Sequence, residues 1–205
     1  MPRARRWLVG GSALLILGLV GWVGLSSLRP PVFHGLVLQS PKPAADFTLT
    51  AHTGQWVNLS AFRGKLVLLF FGYTFCPDVC PMTLAKVAQA LKRLGPKAGH
   101  VQVLFISVDP DRDTPERLAA YVTFFNPTFI GMTGTPEEIA VVAARYGIYS
   151  KKEEGTKATG YLVAHTALVT VIDPQGYVRL LFPFGISPEE MADDLASLIR
   201  RGGRL

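Results

Sequence analysis

The sequence predicts an α/β domain held behind a single membrane-crossing helix. Three observations carry that prediction. The first is an uncharged stretch of 22 residues, "WLVGGSALLILGLVGWVGLSSL" (7–28). The second is a pair of continuous apolar runs of strand length, "KLVLLFFGY" (65–73) and "VQVLFISVDP" (101–110), on either side of a helical pattern. The third is "YLVAHTALVTVIDPQGYVRLLF" (161–182), two apolar segments about an Asp-Pro-Gln-Gly turn signal. At 205 residues, 49% apolar and 18% charged, the chain has room for a short anchor and one domain with a full hydrophobic core.

The uncharged stretch is long enough to cross a bilayer core of about 30 Å as a helix rising about 1.5 Å per residue. Trp7 and Trp22 suit its two interfaces. A cleaved signal peptide would have an apolar region of only about 7–15 residues ending at a small-x-small site. Here the run is longer and "GLSSL" contains no Ala-x-Ala, so an uncleaved anchor is expected. Arg3, Arg5 and Arg6 precede the span, and the positive-inside rule leaves residues 1–6 in the cytoplasm. The expected location is a bacterial plasma membrane, crossed once, with the soluble domain on the periplasmic side. A mitochondrial transit peptide would need a longer Arg- and Ser-rich lead. The net charge of +6 includes those three arginines, which leaves +3 for the rest. No basic stripe interleaves with aromatics, so no nucleic-acid partner is expected; Arg200, Arg201 and Arg204 read as a solvated helix end.

Residues 29–45, "RPPVFHGLVLQSPKPAA", read as a Pro-containing linker, and 46–205 as the folded domain. "DFTLTAHTGQWVNLS" reads as a hairpin about a His-Thr-Gly turn. The run 65–73 suits a central strand buried on both faces. Cys80, Leu84, Val87 and Leu91 then recur at spacings of four, three and four, one face of a helix that lasts to about Leu94. With 101–110 as the next strand, 65–110 is a parallel β-α-β unit. "TPERLAAYVTFF" and "TPEEIAVVAARYG" are helices capped by Thr114 and Thr135, the second stopped by Gly147. "FIGMTG" between them reads as a short strand, and "YSKKEEGTKATG" (149–160) as a polar loop or hairpin tip. An amphipathic helix from about Ser187 to Arg200 closes the chain. A β-α-β unit followed by an antiparallel hairpin and a closing helix is the thioredoxin-like arrangement.

Both cysteines of the chain lie in "FFGYTFCPDVCP" (70–81), where that arrangement carries its reactive thiols. Cys76 leaves the central strand and Cys80 enters the helix, with Asp78 as its expected N-cap and Pro81 in the first turn, where a missing N–H does no harm. A helix N-terminus lowers thiol pKa and favours the thiolate, the form that attacks disulfides and binds metal. A structural bridge across so short a loop restrains little of the unfolded chain. Two soft thiolates select Cu(I), Zn or an iron–sulfur cluster, and a third ligand is needed. His34 in the linker, His52 at a hairpin tip and His100 in a polar turn read as exposed. His165 interrupts the apolar run 161–172, where the sheet's hairpin begins; it is either a satisfied core histidine or the third ligand of a Cys₂His copper site.

"FGYTFCPDVCP", "SVDPDRDTP" and the single histidine before "TVIDPQG" together resemble the Sco/SenC family of membrane-anchored copper-binding proteins, over about residues 40–200. The resemblance implies a thioredoxin-like fold with copper, as Cu(I) and also Cu(II), bound by Cys76, Cys80 and His165. It implies a role in assembling the dinuclear copper centre of cytochrome c oxidase subunit II, with an upstream copper donor or thiol reductant as a further partner. Asp109 matches an acidic position near the family's site, where it would orient a ligand from behind; capping the strand-to-helix turn is its other reading. Asp78 and Asp113 read as local caps, and Tyr73 and Phe75 as the hydrophobic wall of the site.

Two other functions use the same fold. In a general extracytoplasmic thiol–disulfide oxidoreductase, Cys76 would attack and Cys80 resolve. The C-x-x-x-C spacing, and the lack of any proline from Tyr161 to Ile172 to face the cysteines, count against it. A peroxiredoxin-like peroxidase would resemble P-x-x-x-T-x-x-C, but Leu69 and Tyr73 stand where the proline and threonine belong.

Overall fold

The structure, a computed structural model, describes residues 32–156 and 160–205. The predicted cytoplasmic N-terminus 1–6 and anchor 7–28 lie outside the described residues. Among the described residues no helix is long and apolar enough to cross a membrane.

The two apolar runs form the centre of the sheet. Leu66–Gly72 (β4) and Val101–Ser107 (β5) are buried at every position and pair in parallel, Leu66 opposite Val101 and Gly72 opposite Ser107. A strand covered on both faces needs no alternation of polar residues, which is why these runs are continuously apolar. Between them Val79–Leu94 (α1) buries Cys80, Leu84, Val87 and Leu91, the stripe expected from their spacing. Each such side chain taken fully out of water contributes roughly 1.5–3 kcal/mol.

The predicted hairpin is present as Thr48–Ala51 (β2) paired with Trp56–Asn58 (β3). Pro115–Phe125 (α2) is capped by the Thr114 side chain, which accepts from the Arg117 N–H. Ile130–Thr133 (β6) runs parallel to β5 and antiparallel to β2. Pro136–Arg145 (α3) begins with a reciprocal capping box between Thr135 and Glu138, and Gly147 follows it at φ +65°, a left-handed conformation that suits glycine. Leu168–Ile172 (β9) and Val178–Pro183 (β10) form the hairpin about Asp-Pro-Gln-Gly, and Pro188–Arg200 (α4) starts from a capping box between Ser187 and Glu190. With the two-residue strand Leu36–Val37 (β1), the order across the sheet is β1-β10-β9-β4-β5-β6-β2-β3. The central β4 thus has a parallel neighbour, β5, and an antiparallel one, β9, as a thioredoxin-like sheet requires.

Three regions differ from the sequence reading. Residues 150–160, expected as loop or tip, contain a strand, Ser150–Glu154 (β7). It pairs antiparallel with Tyr161–His165 (β8), from Ser150 opposite His165 to Glu154 opposite Tyr161. Every residue of β7 is exposed, so no hydrophobic alternation marked it; the backbone ladder alone makes it a strand. The run 161–172 is accordingly two strands in two sheets, broken at Thr166 and Ala167.

The segment read as linker runs, from Phe33 on, along the sheet edge. β1 pairs with β10, Pro43 bridges to Tyr177, and Ala44 is buried. The buried Asp194 carboxylate of α4 accepts the N–H groups of His34 and Gly35. His52 is not merely exposed: its Nδ1 accepts the Gly131 N–H at 3.0 Å and its own N–H donates to the Gly131 carbonyl, fastening β2 to β6. His34 and His100 are exposed as expected.

Candidate metal centre

The site is built at the C-terminal end of β4. Its last residue, Gly72, faces both the Cys80 sulfur and the Phe105 ring. A β-carbon there would stand 2.8 Å from each, closer than such atoms approach, so only glycine lets α1 lie this near the strand. Val108 donates its N–H to the Gly72 carbonyl and continues the β4–β5 ladder to the edge of the site.

The loop then turns back on itself, the Cys76 N–H donating to the Tyr73 carbonyl at 3.2 Å. Asp78 occupies the N-cap position of α1 but makes no side-chain cap bond. The Cys80 N–H, in the first turn of the helix, donates instead to the Cys76 sulfur at 3.4 Å. A helix N-terminus presents unpaired N–H groups and a positive dipole end, and a thiolate satisfies both. Hydrogen bonding from the Cys80 thiol and from backbone N–H groups outweighs burial and holds the Cys76 pKa down to about 4. Cys80 moves the other way: bearing the shared proton for Cys76, and fully buried, its thiol is pushed up. The two cysteines are unbridged, with Cys76 half-buried and the readier of the two to ionise, and Cys80 buried and held towards its protonated form.

His165 comes from the end of β8. Its Nδ1 lies 3.3 Å from the Thr166 carbonyl, which assigns the ring proton to that nitrogen and leaves the Nε2 lone pair facing the Cys80 sulfur at 3.2 Å. Phe70 and Tyr73 meet the ring edge-on, at 6.3 and 5.8 Å between centroids. Cys76, Cys80 and His165 each contribute one donor atom, and all three atoms lie within 4.8 Å of one another. Two sulfurs and an unprotonated imidazole nitrogen, backed by an apolar wall, fit one soft metal ion.

The supporting residues depart from expectation. Tyr73 is buried and walls the site, whereas Phe75 is 42% exposed, its ring between the guanidiniums of Arg112 and Arg117 at 4.5 and 4.6 Å. Asp109 caps no helix with its side chain. Its buried carboxylate accepts from the Tyr161 hydroxyl at 2.6 Å and from the Arg112 Nε. Asp113 is no local cap either. It accepts the Thr74 N–H at 3.0 Å, the Thr74 hydroxyl at 2.6 Å and the Ser107 hydroxyl at 2.6 Å, bracing the cysteine loop from 39 residues away. Gly72 is the residue that sequence reasoning passed over, and Asp113 the one whose role it misjudged. The available signal was "DPDRD", three carboxylates and an arginine in five residues behind a buried strand, more than one turn requires.

A thioredoxin-like sheet that ends in this sulfur–sulfur–imidazole cluster defines a class of thiol protein equipped to hold a soft metal ion. Within that class the chain belongs to the SCO1/SenC family, whose family model matches residues 38–200. The bovine mitochondrial SCO2 homolog is 38% identical over 152 residues, 73% of this chain and 57% of the bovine one, so the chain spans little more than half of that relative's length. The solution structure of apo Sco1 from Thermus thermophilus is 42% identical with a TM-score of 0.73, covering 82% of this chain and 97% of its own. The crystal structure of Arabidopsis thaliana ScoI, determined with copper bound, is 34% identical with the same TM-score of 0.73, covering 78% of this chain and 99% of its own.

Proposed function

We propose that this chain is a membrane-anchored copper-binding protein that assists assembly of the dinuclear copper centre in cytochrome c oxidase subunit II. The observation that carries the reading is the convergence of Cys76, Cys80 and His165 within 4.8 Å. Thiolates and imidazole form a soft set that favours Cu(I) over hard cations. Cu(II) would need an added water or carboxylate. Copper-bound relatives support copper as the cargo. The metal arrives from an upstream donor and leaves by ligand exchange with the partner's own ligands. The half-buried Cys76 is the ligand within reach of both. The 7–28 segment holds the domain at the periplasmic face of the membrane, where the oxidase copper site is assembled.

The test is copper titration of the reduced chain with X-ray absorption at the copper edge. One copper per chain is expected, with two sulfur scatterers and one nitrogen scatterer. In His165→Ala the nitrogen contribution disappears and affinity falls by more than about 10-fold, a loss that even a residue orienting a ligand from behind can cause. Unchanged copper coordination in that variant would sink the three-ligand site.

A second reading, reduction of the subunit's cysteines, is favoured by the depressed pKa of Cys76. Its thiolate attacks one sulfur of the partner disulfide and displaces the other as thiolate. Cys80 then loses its proton, attacks Cys76 and releases the second cysteine, leaving a Cys76–Cys80 disulfide. The partner gains the two electrons that this chain loses. Because the Cys76 pKa is lowered, the attacking form persists as pH falls until about 4. Reduction of an oxidised subunit II fragment should therefore be nearly independent of pH above about 6, unlike an ordinary thiol with a pKa of about 8.5. A fragment that accepts copper yet keeps its disulfide would count decisively against this reading.

A further inference from the structure

His165 lies on β8, which belongs to the separate two-stranded sheet and not to the eight-stranded one that positions the cysteines. The Arg112 side chain bridges the two. Its guanidinium lies over the Tyr161 ring at 3.7 Å, over the Phe75 ring at 4.5 Å and near the Tyr73 ring at 5.8 Å. Its Nε donates to the Asp109 carboxylate and one terminal nitrogen to the Tyr161 carbonyl at 3.0 Å. The other Asp109 oxygen accepts the Tyr161 hydroxyl, so Asp109, Arg112 and Tyr161 form a closed ring of bonds. Tyr161 is the first residue of the strand that His165 ends; Phe75 precedes Cys76; Tyr73 packs edge-on against the His165 ring. One partly buried side chain, 18% exposed, therefore touches both metal-bearing segments.

We propose that Arg112 is a positioning residue that sets the distance of His165 from the two cysteines by clamping the β7–β8 hairpin to the cysteine loop. The clamp needs a planar fork as well as charge. The fork bonds a carboxylate and a carbonyl in its plane while its faces stack on aromatic rings, which a lysine ammonium cannot do. The inference rests on the copper reading only for the metal half of its test.

The experiment uses the full-length reduced chain in detergent micelles, as wild type, Arg112→Gln, Arg112→Lys and Tyr161→Phe, the last removing only the hydroxyl from the ring of bonds. Without metal, nuclear Overhauser contacts between the His165 and Tyr73 rings are read against those between Phe47 and Tyr146, a pair outside both the clamp and the wall of the metal site. The first contact should be lost in Arg112→Gln, weakened in Arg112→Lys and Tyr161→Phe, and the second retained in all. With Cu(I), Arg112→Gln should lower affinity about 10-fold. It should lower it hardly at all in a His165→Ala background, because the arginine acts through the histidine. Retention of the ring contact in Arg112→Gln, or an equal loss of affinity with and without His165, overturns the proposal. If Arg112→Gln does not fold, Tyr161→Phe decides by the same ring contact. If wild type binds no copper the function above fails, while the metal-free ring contacts still judge the clamp.

Discussion

Cys80→Ser is expected to abolish tight Cu(I) binding, with a loss of roughly 1,000-fold or more, equivalent to about 4 kcal/mol. The expectation follows from where the sulfur sits. Cys80 is fully buried, faces Gly72 at the closest approach of helix and strand, and lies 3.2 Å from the His165 nitrogen. A hydroxyl oxygen there is a hard, protonated donor, and Cu(I) prefers soft thiolate. No neighbouring residue can substitute, because the wall behind the site is Phe70, Tyr73 and Phe105. Serine is smaller than cysteine and its hydroxyl can still donate to the His165 nitrogen, so the fold should survive. Competition against a Cu(I) chelator measures the loss, with circular dichroism as the control. A decrease of less than tenfold in a folded variant would show that Cys76 and His165 hold the metal without Cys80.

Asp113→Ala should destabilise the domain by about 3 kcal/mol, through a residue that contacts neither cysteine in any bond described above. Its carboxylate is fully buried and receives three hydrogen bonds, two from Thr74 and one from Ser107. Burial raises its pKa, and those three bonds pull it back towards the charged form. Alanine would leave the Thr74 N–H and two hydroxyls without their acceptor at the root of the cysteine loop. The Thr74 and Cys76 amides should then exchange with solvent faster than those of β4. Asp113→Asn, which keeps one acceptor oxygen, should lose about half as much stability. Urea unfolding gives the magnitude, and native-state hydrogen exchange gives the location. A change below about 1 kcal/mol would mean that the loop is braced from elsewhere.

Much of this architecture was legible in the sequence because its signals are local. The runs that became β4 and β5 are apolar at every position, which only a strand covered on both faces tolerates. The spacing of Cys80, Leu84, Val87 and Leu91 named the buried face of α1, and Thr135 and Ser187 marked the starts of α3 and α4, to which the structure adds Glu138 and Glu190 as partners in capping boxes. Cys76 and Cys80 declared themselves by standing at a strand-to-helix junction. Asp78 misled for a related reason: it has the residue type and position of an N-cap, but the sulfur of Cys76 took the bond.

Determined by the sequence alone, then, were the order of strands and helices about the central unit, the two thiols at its edge, and a histidine out of place in an apolar run. Only the tertiary structure decided that this histidine meets Cys80 across 85 positions of chain. It also decided that "SKKEE" is a strand, that residues 33–44 lie along the sheet edge, and that "DPDRD" braces the site through Asp109, Arg112 and Asp113. The division has a physical cause. Burial and helix capping act between neighbours and leave a period or a residue type behind. Exposed backbone pairing and long-range polar bonds leave neither, since any polar residue serves until the fold supplies its partner.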